Sequence, residues 1–260
     1  MITVAVGMSV LLSPGTAGAS AYPVEDAPDL TNNSLYVSGK LPAAKCAKKP
    51  AKGKTSASVK RHINAVISCL NDTWAPYLKG ANLSFVPPRV TLTSKAGEAT
   101  FWCSGEKKQT ARSAAFYCGS HANFTVQIRP DWIKASDDVQ IFAELSAEYG
   151  EHVMNMVDIT EGYNALHADD GKEISEQLRR YNLQAQCLNG VSAKSLWPAL
   201  GYPAKDIKRL LTLVKADGDV KGKTSWLGKG SNLAYWANRG HSTGNPKSCN
   251  TWTAPSSKVA

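Results

Sequence analysis

The sequence lacks several features that would each point to a particular function. Beyond its first 21 residues it has no apolar run long enough to cross a membrane as a helix. It has no Cys-x-x-Cys pair, which argues against a zinc knuckle or a thioredoxin-like redox site. It has no Gly-x-Ser-x-Gly elbow of the kind that carries a serine nucleophile. Its basic residues do not alternate with aromatic ones in a recognition motif, so a nucleic-acid partner is not expected.

The cysteines that are present point to export. There are six, and an even count in an exported chain predicts three disulfides. Cys103 and Cys118 lie in two neighbouring strand-like segments, where a disulfide across a hairpin would be natural. Counting alone leaves the pairing open among Cys46, Cys69, Cys103, Cys118, Cys187 and Cys249.

Residues 1–21 are predicted to be a secretion signal. The run from Ile2 to Leu12 is apolar but too short to span a bilayer, and small residues at 17–21 provide a cleavage site. The Lys or Arg residues that usually open a signal are missing, so a plain apolar terminus is the alternative. Residues 22–55, rich in Pro, Lys, Ala and Ser, are predicted to form a flexible lead-in to a folded domain over 56–260.

Most of the net charge of +9 comes from two Lys-rich stretches, residues 45–54 and, more loosely, residues 205–229. Such charge is typical of a solvated surface that keeps a protein soluble. It also fits electrostatic attachment to an anionic surface such as cell-envelope polymer.

Hydrophobic periodicity predicts an α+β fold in which helices pack on a small sheet. Apolar residues spaced by three and four indicate long helices, and short segments rich in β-branched and aromatic residues indicate strands. The segment 158–172 and the tail after residue 234 are rich in turn residues and are predicted to be loops. The predicted helices cover 56–78, 138–158, 172–195 and 204–215, and the predicted strands cover 89–93, 100–105, 115–119 and 124–128.

Five short segments follow one another in an order that is specific as a set, although none is decisive alone. They are Phe116-Tyr117-Cys118, Glu148-Tyr149-Gly150-Glu151-His152-Val153, Leu183-Gln184-Ala185-Gln186-Cys187, Trp236-Ala237-Asn238-Arg239-Gly240 with Gly244-Asn245-Pro246, and Cys249-Asn250-Thr251-Trp252. In this order they resemble the motifs of the bacterial neutral zinc metallopeptidases. The similarity covers roughly residues 60–252.

The resemblance implies a zincin-like domain from a bacterial source and a disulfide pattern. Cys187, on the helix of the third segment, would pair with Cys249 in the tail. Cys103 would pair with Cys118, which leaves Cys46 for Cys69.

The resemblance also implies where zinc would bind, and the ligands are missing there. By that resemblance, the family's ligands would be two His of one motif helix and the acidic residue that opens the next motif helix. The matching positions here are Ala147, Glu151 and Asn182. Alanine has no donor atom, and an Asn amide oxygen is a weak zinc ligand. Only the general-base position, Glu148, is kept, and without a zinc-bound water it has no acidic water to deprotonate.

Further positions have changed in the same direction. Gln186 stands where the family has Asp, and Leu227-Gly228 stands where the family has His-Gly. Replacing carboxylates by amides fits the loss of a dication, because neighbouring carboxylates repel one another once it is gone. Glu151 goes against this trend, and we expect it to face solvent or to pair with Arg179 or Arg180.

A zinc site shifted along the helix is the main alternative. Glu148 and His152 are one turn apart, the spacing that two metal ligands on a helix need. The following loop would supply a third ligand, and Glu151 would act as the base. The loop candidates are His167, Asp169 and Asp170.

Aromatic residues of the C-terminal region leave two interpretations open. They either line a ligand groove or, as is more common, form core beneath long loops. They are Trp226, Tyr235, Trp236 and Trp252.

Taken together, these features predict a secreted, catalytically inactive homologue of the neutral zinc metallopeptidases that needs no cofactor. Its role would be to bind a peptide or protein, or to regulate active relatives, in association with the cell wall. The alternatives are an active zinc metallopeptidase with an unconventional ligand set, which would need zinc, and a structural protein of the cell envelope.

Overall fold

The computed structural model describes residues 24, 27–50, 53–93, 100–101, 109–110, 114–135, 138–220 and 226–260. The predicted signal segment, residues 1–21, lies outside the described residues, as does Cys103. The helices are α1 (Pro28–Thr31), α2 (Ser56–Gly80), α3 (Pro130–Ala135), α4 (Asp138–Met156), α5 (Ile159–Asn164), α6 (Gly171–Leu200), α7 (Ile207–Ala216) and α8 (Gly230–Thr243). The strands are β1 (Arg89–Thr93), β2 (Thr100–Phe101), β3 (Gln109–Thr110), β4 (Ala115–Cys118) and β5 (Asn123–Gln127).

A three-stranded sheet in the order β1-β5-β4 forms the β part of the fold. β1 runs parallel to β5, whereas β4 runs antiparallel to it, with Tyr117 opposite Phe124. Alternate residues of β5 point into the core, and both Phe124 and Val126 are fully buried. β4 therefore has one edge that pairs with no strand of this sheet, and that edge faces α4 through hydrogen bonds described below. The predicted α+β class is confirmed.

α2 begins at a capping box formed by Thr55 and Ser58. Each of these side chains accepts a hydrogen bond from the other residue's backbone N–H, so two otherwise unpaired helix donors are satisfied. The predicted apolar stripe faces the core, where Ile63 and Leu70 are fully buried. The disulfide between Cys46 and Cys69 joins the segment before α2 to the middle of the helix.

α4 and α6 are the central helices of the domain. Leu145 and Tyr149 of α4 are fully buried, as predicted from their spacing. The two helices approach closely at Gly150, where a Cβ would lie 2.7 Å from the carbonyl oxygen of Ala185. This contact fixes the separation of α4 and α6, and thus the shape of the cavity between them.

α6 and α8 cross more closely still, through a reciprocal pair of glycines. A Cβ on Gly190 would lie 1.9 Å from the carbonyl oxygen of Ala237, and a Cβ on Gly240 would lie 2.0 Å from that of Cys187. Those obstacles are backbone atoms of helices and cannot rotate away. Only glycine fits at either position.

The C-terminal tail is fastened to α6. Arg180 is buried and donates to the carbonyl oxygens of Thr251, Trp252 and Ala254, and it pairs with Glu176 at 2.6 Å. The disulfide between Cys187 and Cys249 lies two turns further along α6. Two of the predicted disulfides are thus confirmed. Cys118 is disulfide-bonded as well, and its predicted partner Cys103 lies outside the described residues.

The structure corrects three predictions of local order. The lead-in predicted to be flexible contributes to the core, because Leu30 and Leu35 are fully buried and Asn33 donates to the carbonyl of Val157 at 2.8 Å. The loop predicted over 158–172 contains α5, and the tail predicted to be turn-rich contains α8. The lead-in resembled a linker because its few apolar residues are spaced too irregularly to show a period.

Within the described part of the chain, no helix combines the length and apolar character that a membrane crossing requires.

Candidate functional site

A cavity of about 380 Å³ opens between α4, α6, α7 and the start of α8. Its lining combines carboxylates, amides, one Arg and a set of small and branched apolar side chains. The residues that line it are Arg129, Gln140, Ala143, Glu144, Ala147, Glu148, Glu151, Asn182, Ala185, Gln186, Leu213, Val214, Asp217, Leu227 and Leu233.

The positions matched to the family's zinc ligands meet in this cavity. Ala147 and Glu151 are one turn apart on α4, and Asn182 faces them from α6. Gln186 and Leu227, the other positions at which the sequence resemblance predicts a departure from the family, line the same cavity. Residues as far apart in sequence as 147 and 227 therefore converge on one place, which supports the register in which the motifs were matched.

Asn182 now holds a loop in place. Its side-chain amide donates to the carbonyl oxygen of Leu178 at 3.0 Å and to that of Trp226 at 3.0 Å. A carboxylate has no proton to donate, so an acidic residue at this position could not make either bond. The loop is closed from the other side by Asp219, which accepts from the backbone N–H groups of Leu227 and Gly228.

The carboxylate of Glu148 is hydrogen-bonded to the neighbouring strand β4. Its Oε2 accepts a hydrogen bond of 2.9 Å from the backbone N–H of Tyr117, on the outer edge of β4. One turn earlier on α4, Oε2 of Glu144 accepts from the N–H of Ala114 at 2.7 Å. The two carboxylates thus cover the donors of an edge strand that would otherwise be available to another chain.

Burial raises the pKa of both carboxyl groups on the cavity floor. The pKa of Glu148 lies well above 4.5, first because of desolvation and then because of the negative charge of Glu151, while the Tyr117 N–H works against the shift. Desolvation raises the pKa of Glu151 to about 7. The pair shares one buried space, so full ionisation of both groups is costly without a cation between them.

Glu151 does not have the partners expected of it. Arg179 donates to the carbonyl oxygen of Val259, and Arg180 binds Glu176 and the tail. Glu151 instead lines the cavity and is only partly exposed. Within the described residues its carboxylate has neither a hydrogen bond nor an ion pair, so the expectation of an Arg partner is wrong.

The side chains proposed for a shifted zinc site are not brought together. His152 is fully buried among Phe85, Tyr117 and Tyr149, and its Nδ1 is hydrogen-bonded to the Tyr117 hydroxyl at 2.9 Å. Burial lowers its pKa to about 4. His167 is 92 % exposed, and its nearest carboxylate is that of Asp169, itself exposed, at 3.8 Å. Neither His lines the cavity.

The donors that remain do not fit a zinc ion. At the matched ligand positions, Ala147 offers no atom, and Asn182 offers an amide oxygen, a weak zinc ligand, while its amide nitrogen donates to the carbonyl oxygens of Leu178 and Trp226. Zinc sites are built mainly from imidazole and thiolate ligands, three or four in number. Nowhere among the described residues do three His, Cys, Asp or Glu side chains form a group that could hold a metal.

The aromatic residues left open by the sequence divide into two kinds. Trp236 and Trp252 are buried in the core. Trp226 is 56 % exposed and precedes the cavity residue Leu227 in sequence, but does not itself line the cavity. Tyr235 is 39 % exposed on α8 and contacts Lys258 through its ring.

Sequence reasoning missed three charged residues of the cavity, Glu144, Arg129 and Asp217. Glu144 could have been found, because it precedes Glu148 by one helical turn and therefore shares its face. Arg129 lies just before α3, at a position that only the tertiary fold brings to the cavity.

Comparison with known protein families gives one match. A family model described as "Putative neutral zinc metallopeptidase" matches residues 24–252. No curated protein and no solved structure matches the chain. The matched range begins before α1 and ends at Trp252, so it includes the segment that the sequence had suggested was a lead-in.

Proposed function

This chain belongs to the neutral zinc metallopeptidase family, and from that membership we propose that it is an exported, catalytically inactive member that binds a ligand in its cavity. The observation that carries the proposal is the content of the cavity. All three matched ligand positions meet there, and they offer one methyl group, one carboxylate and one amide oxygen, which is a weak zinc ligand.

The state of Glu148 supports the absence of peptidase chemistry. A general base must reach the water or group that it deprotonates. Here one oxygen of Glu148 is held by the Tyr117 N–H, and the pKa of the group is raised by burial. Burial would suit a base only if a zinc-bound water faced it, and the surrounding side chains do not supply the zinc ligands.

The disulfides support export. Disulfides persist in oxidising compartments and are rare in the cytosol, and two are formed between described cysteines. N-terminal sequencing of the protein recovered from culture medium tests this part of the proposal. A mature chain that begins near residue 22 is expected, and retention inside the cell with residues 1–21 intact would contradict it.

The inactivity is tested by metal content and hydrolysis together. Purified protein is expected to contain substoichiometric zinc, to show no melting shift with a chelator and to leave casein intact. A variant that restores Ala147→His, Glu151→His and Asn182→Glu together is expected to bind zinc at one per chain. The matched control carries Glu148→Gln in the restored background, so that any hydrolysis gained can be assigned to the general-base position. One zinc per chain in the unmodified protein, with casein cleavage, would overturn the proposal.

We also propose that the basic surface attaches the protein to an anionic cell-envelope polymer. Lys45, Lys48 and Lys49 are exposed beside the Cys46–Cys69 disulfide, and Lys205, Lys208 and Lys215 are exposed on or just before α7. Attachment through exposed charges weakens with salt, because they are screened within about 8 Å at physiological ionic strength. Binding to purified cell walls should fall steeply with added salt, and binding that does not respond to salt would count against attachment.

A further inference from the structure

We propose that the cavity binds a primary ammonium group that carries an aliphatic chain, with the ammonium at Glu151 and the chain against the apolar wall. This inference rests on the proposal that the cavity holds a ligand without zinc. It adds the chemical class of that ligand.

The first argument is that three carboxylates on one face of α4 differ in the hydrogen bonds and charges that satisfy them. Glu144 accepts from the Ala114 N–H at 2.7 Å and from Gln140 at 3.4 Å, and Arg129 stabilises its charge. Glu148 accepts from the Tyr117 N–H at 2.9 Å. Glu151, the last of the three, has no hydrogen-bond or ion-pair partner among the described residues. Among these three carboxylates, Glu151 is therefore the one whose charge no described group satisfies.

The second argument is the composition of the opposite wall. Leu213 and Val214 of α7, Leu227 of the loop and Leu233 of α8 present only hydrocarbon to the cavity. A hydrated metal ion would gain nothing from such a wall, whereas an aliphatic chain would lose its water-exposed surface there. A volume of about 380 Å³ lies within the range of small-molecule sites, so an ammonium head and a chain of several carbons fit together.

The third argument is the sign of the charge. The whole chain carries +9, yet the cavity holds three Glu and one Asp against a single Arg. An ammonium ion has three donors and can bind Glu151 and Glu148 at once, which relieves the repulsion between them. A carboxylate or phosphate ligand would add to that repulsion and is excluded on the same ground.

Affinity for the ammonium should depend on pH, because the carboxyl groups must ionise to bind it. The titratable groups that interact with Glu151 are Glu148 and the phenols of Tyr117 and Tyr181, which stay neutral because burial raises their pKa. The other charged groups of the cavity are Glu144, Arg129 and Asp217. With the pKa of Glu151 raised to about 7, affinity is expected to fall as the solution is acidified from about pH 8 to about pH 5.

Isothermal titration calorimetry of the full mature protein with three ligands of equal chain length tests the inference. The ligands are n-hexylamine, 1-hexanol and hexanoate, followed by Leu-Gly-Gly and its N-acetylated form to separate a free amine from a peptide N-terminus. Hexylamine is expected to bind at one per chain and at least about tenfold more tightly than hexanol, and hexanoate more weakly than either. Glu151→Gln should reduce hexylamine affinity about tenfold or more and leave hexanol unchanged. Glu161→Gln on the exposed surface of α5 is the matched control and should change nothing.

The outcomes separate this inference from the proposed function. Equal binding of hexanol and hexylamine, tighter binding of hexanoate, binding of none of the three, or no effect of Glu151→Gln would overturn the ammonium site and leave the inactivity untouched. Zinc that binds at one per chain and displaces hexylamine would overturn both. Preference for Leu-Gly-Gly over its acetylated form supports the site and assigns the ammonium to a peptide N-terminus, whereas hexylamine binding without Leu-Gly-Gly binding supports it and assigns a free amine.

Discussion

α6 lines the cavity with one side and crosses α8 with another. The two sides differ in how tightly they constrain the residues they carry. At the crossing, Gly190 and Gly240 leave no room for even a methyl group, and the disulfide between Cys187 and Cys249 lies nearby. In the cavity, the matched ligand positions hold Ala147, Glu151 and Asn182, which share no chemistry. By the resemblance read from the sequence, the departures from the family's residues lie on the side of α6 that faces the cavity.

From this difference we expect that the fold does not depend on a metal for its stability. A domain held by zinc would lose roughly 10 kcal/mol or more when its ligands are removed. Here the helices are held by close backbone contact, buried apolar residues and disulfides, and these contacts do not use the side chains at the matched ligand positions Ala147, Glu151 and Asn182. The cavity was therefore free to change its chemistry without the loss of the fold.

The largest effect is expected from breaking the crossing. Gly240→Leu would place a Cβ 2.0 Å from a helical carbonyl oxygen, and we expect destabilisation of about 4 kcal/mol or more, enough to prevent folding. Gly80→Ala, on a helix end with no heavy atom within 4 Å of the added Cβ, is the matched control and should be neutral or slightly stabilising. Urea unfolding followed by circular dichroism measures both, and a normally folded Gly240→Leu variant would refute the crossing as described.

Removing the disulfide beside the crossing should have the next largest effect. The loop closed by Cys187 and Cys249 has a sequence separation of 62, and its opening by Cys187→Ser with Cys249→Ser should cost about 3 kcal/mol. The fold should persist, because the glycine contact remains. Differential scanning calorimetry measures the melting temperature of the variant and of the unmodified protein, each with and without a chelator. Loss of the disulfide should lower the melting temperature, whereas the chelator alone should leave that of the unmodified protein unchanged.

The carboxyl group of Glu151 in the cavity is expected to lower the free energy of unfolding at neutral pH. Since the pKa of Glu151 is raised by burial to about 7, the folded state holds a proton that the unfolded state has lost. The stabilisation that this bound proton gives to the folded state is fully present below about pH 4.5 and is lost as the pH rises through about 7. Glu151→Gln should therefore match the unmodified protein at about pH 4.5 and exceed its stability by about 2 kcal/mol at about pH 8.

The variant must be compared with the unmodified protein at each pH, because His152 also changes the stability with pH. Its pKa is lowered by burial to about 4, so it adds stability as the pH rises from about 4 to about 6.5, opposite in sign to Glu151. The contribution of His152 is present in both proteins, so the difference in unfolding free energy between the Glu151→Gln variant and the unmodified protein reports on the Glu151 carboxyl group. Chemical denaturation at a series of pH values provides it, and a difference that does not change with pH would show that Glu151 is not buried as described.

The smallest effect is expected at the loop tie. Asn182→Glu loses the hydrogen bonds to the carbonyl oxygens of Leu178 and Trp226 and brings a negative charge to the cavity, so a cost of about 1–2 kcal/mol is expected. Asn238→Glu, on an exposed position of α8, is the control and should be close to neutral. Trp226 fluorescence should also change in the first variant alone, because the loop beside it is released. Equal behaviour of the two variants would show that the tie contributes nothing.

Much of the fold was predictable from periodicity, because long helices bury one face. Phe142, Leu145 and Tyr149 gave α4 its stripe, and all three are fully buried. α8 was missed because its sequence is rich in Gly, Ser, Thr and Asn, which usually indicate turns. The small residues there serve the close approach of two helices, and that requirement is visible only once the helices are packed.

The candidate site was predictable in its location and not in its bonding. Motif order placed Ala147, Glu151 and Asn182 together, and they do meet. Sequence could not show that Glu148 accepts from the backbone of Tyr117 or that Asn182 holds the Trp226 loop. These hydrogen bonds join residues 31 and 44 positions apart, and local pattern carries no information on such contacts.

The parallel pairing of β1 with β5 has a consequence for how the chain folds. β4 and β5 are joined by a short turn and form a local hairpin, whereas Arg89 of β1 pairs with Asn123 across a longer excursion that contains β4. Contacts between distant residues form slowly, because the intervening chain must be ordered first. The hairpin, backed by the carboxylates of α4, is therefore expected to nucleate the sheet, and β1 is expected to join after the transition state. Substitutions in β1 should then speed unfolding and leave the folding rate almost unchanged.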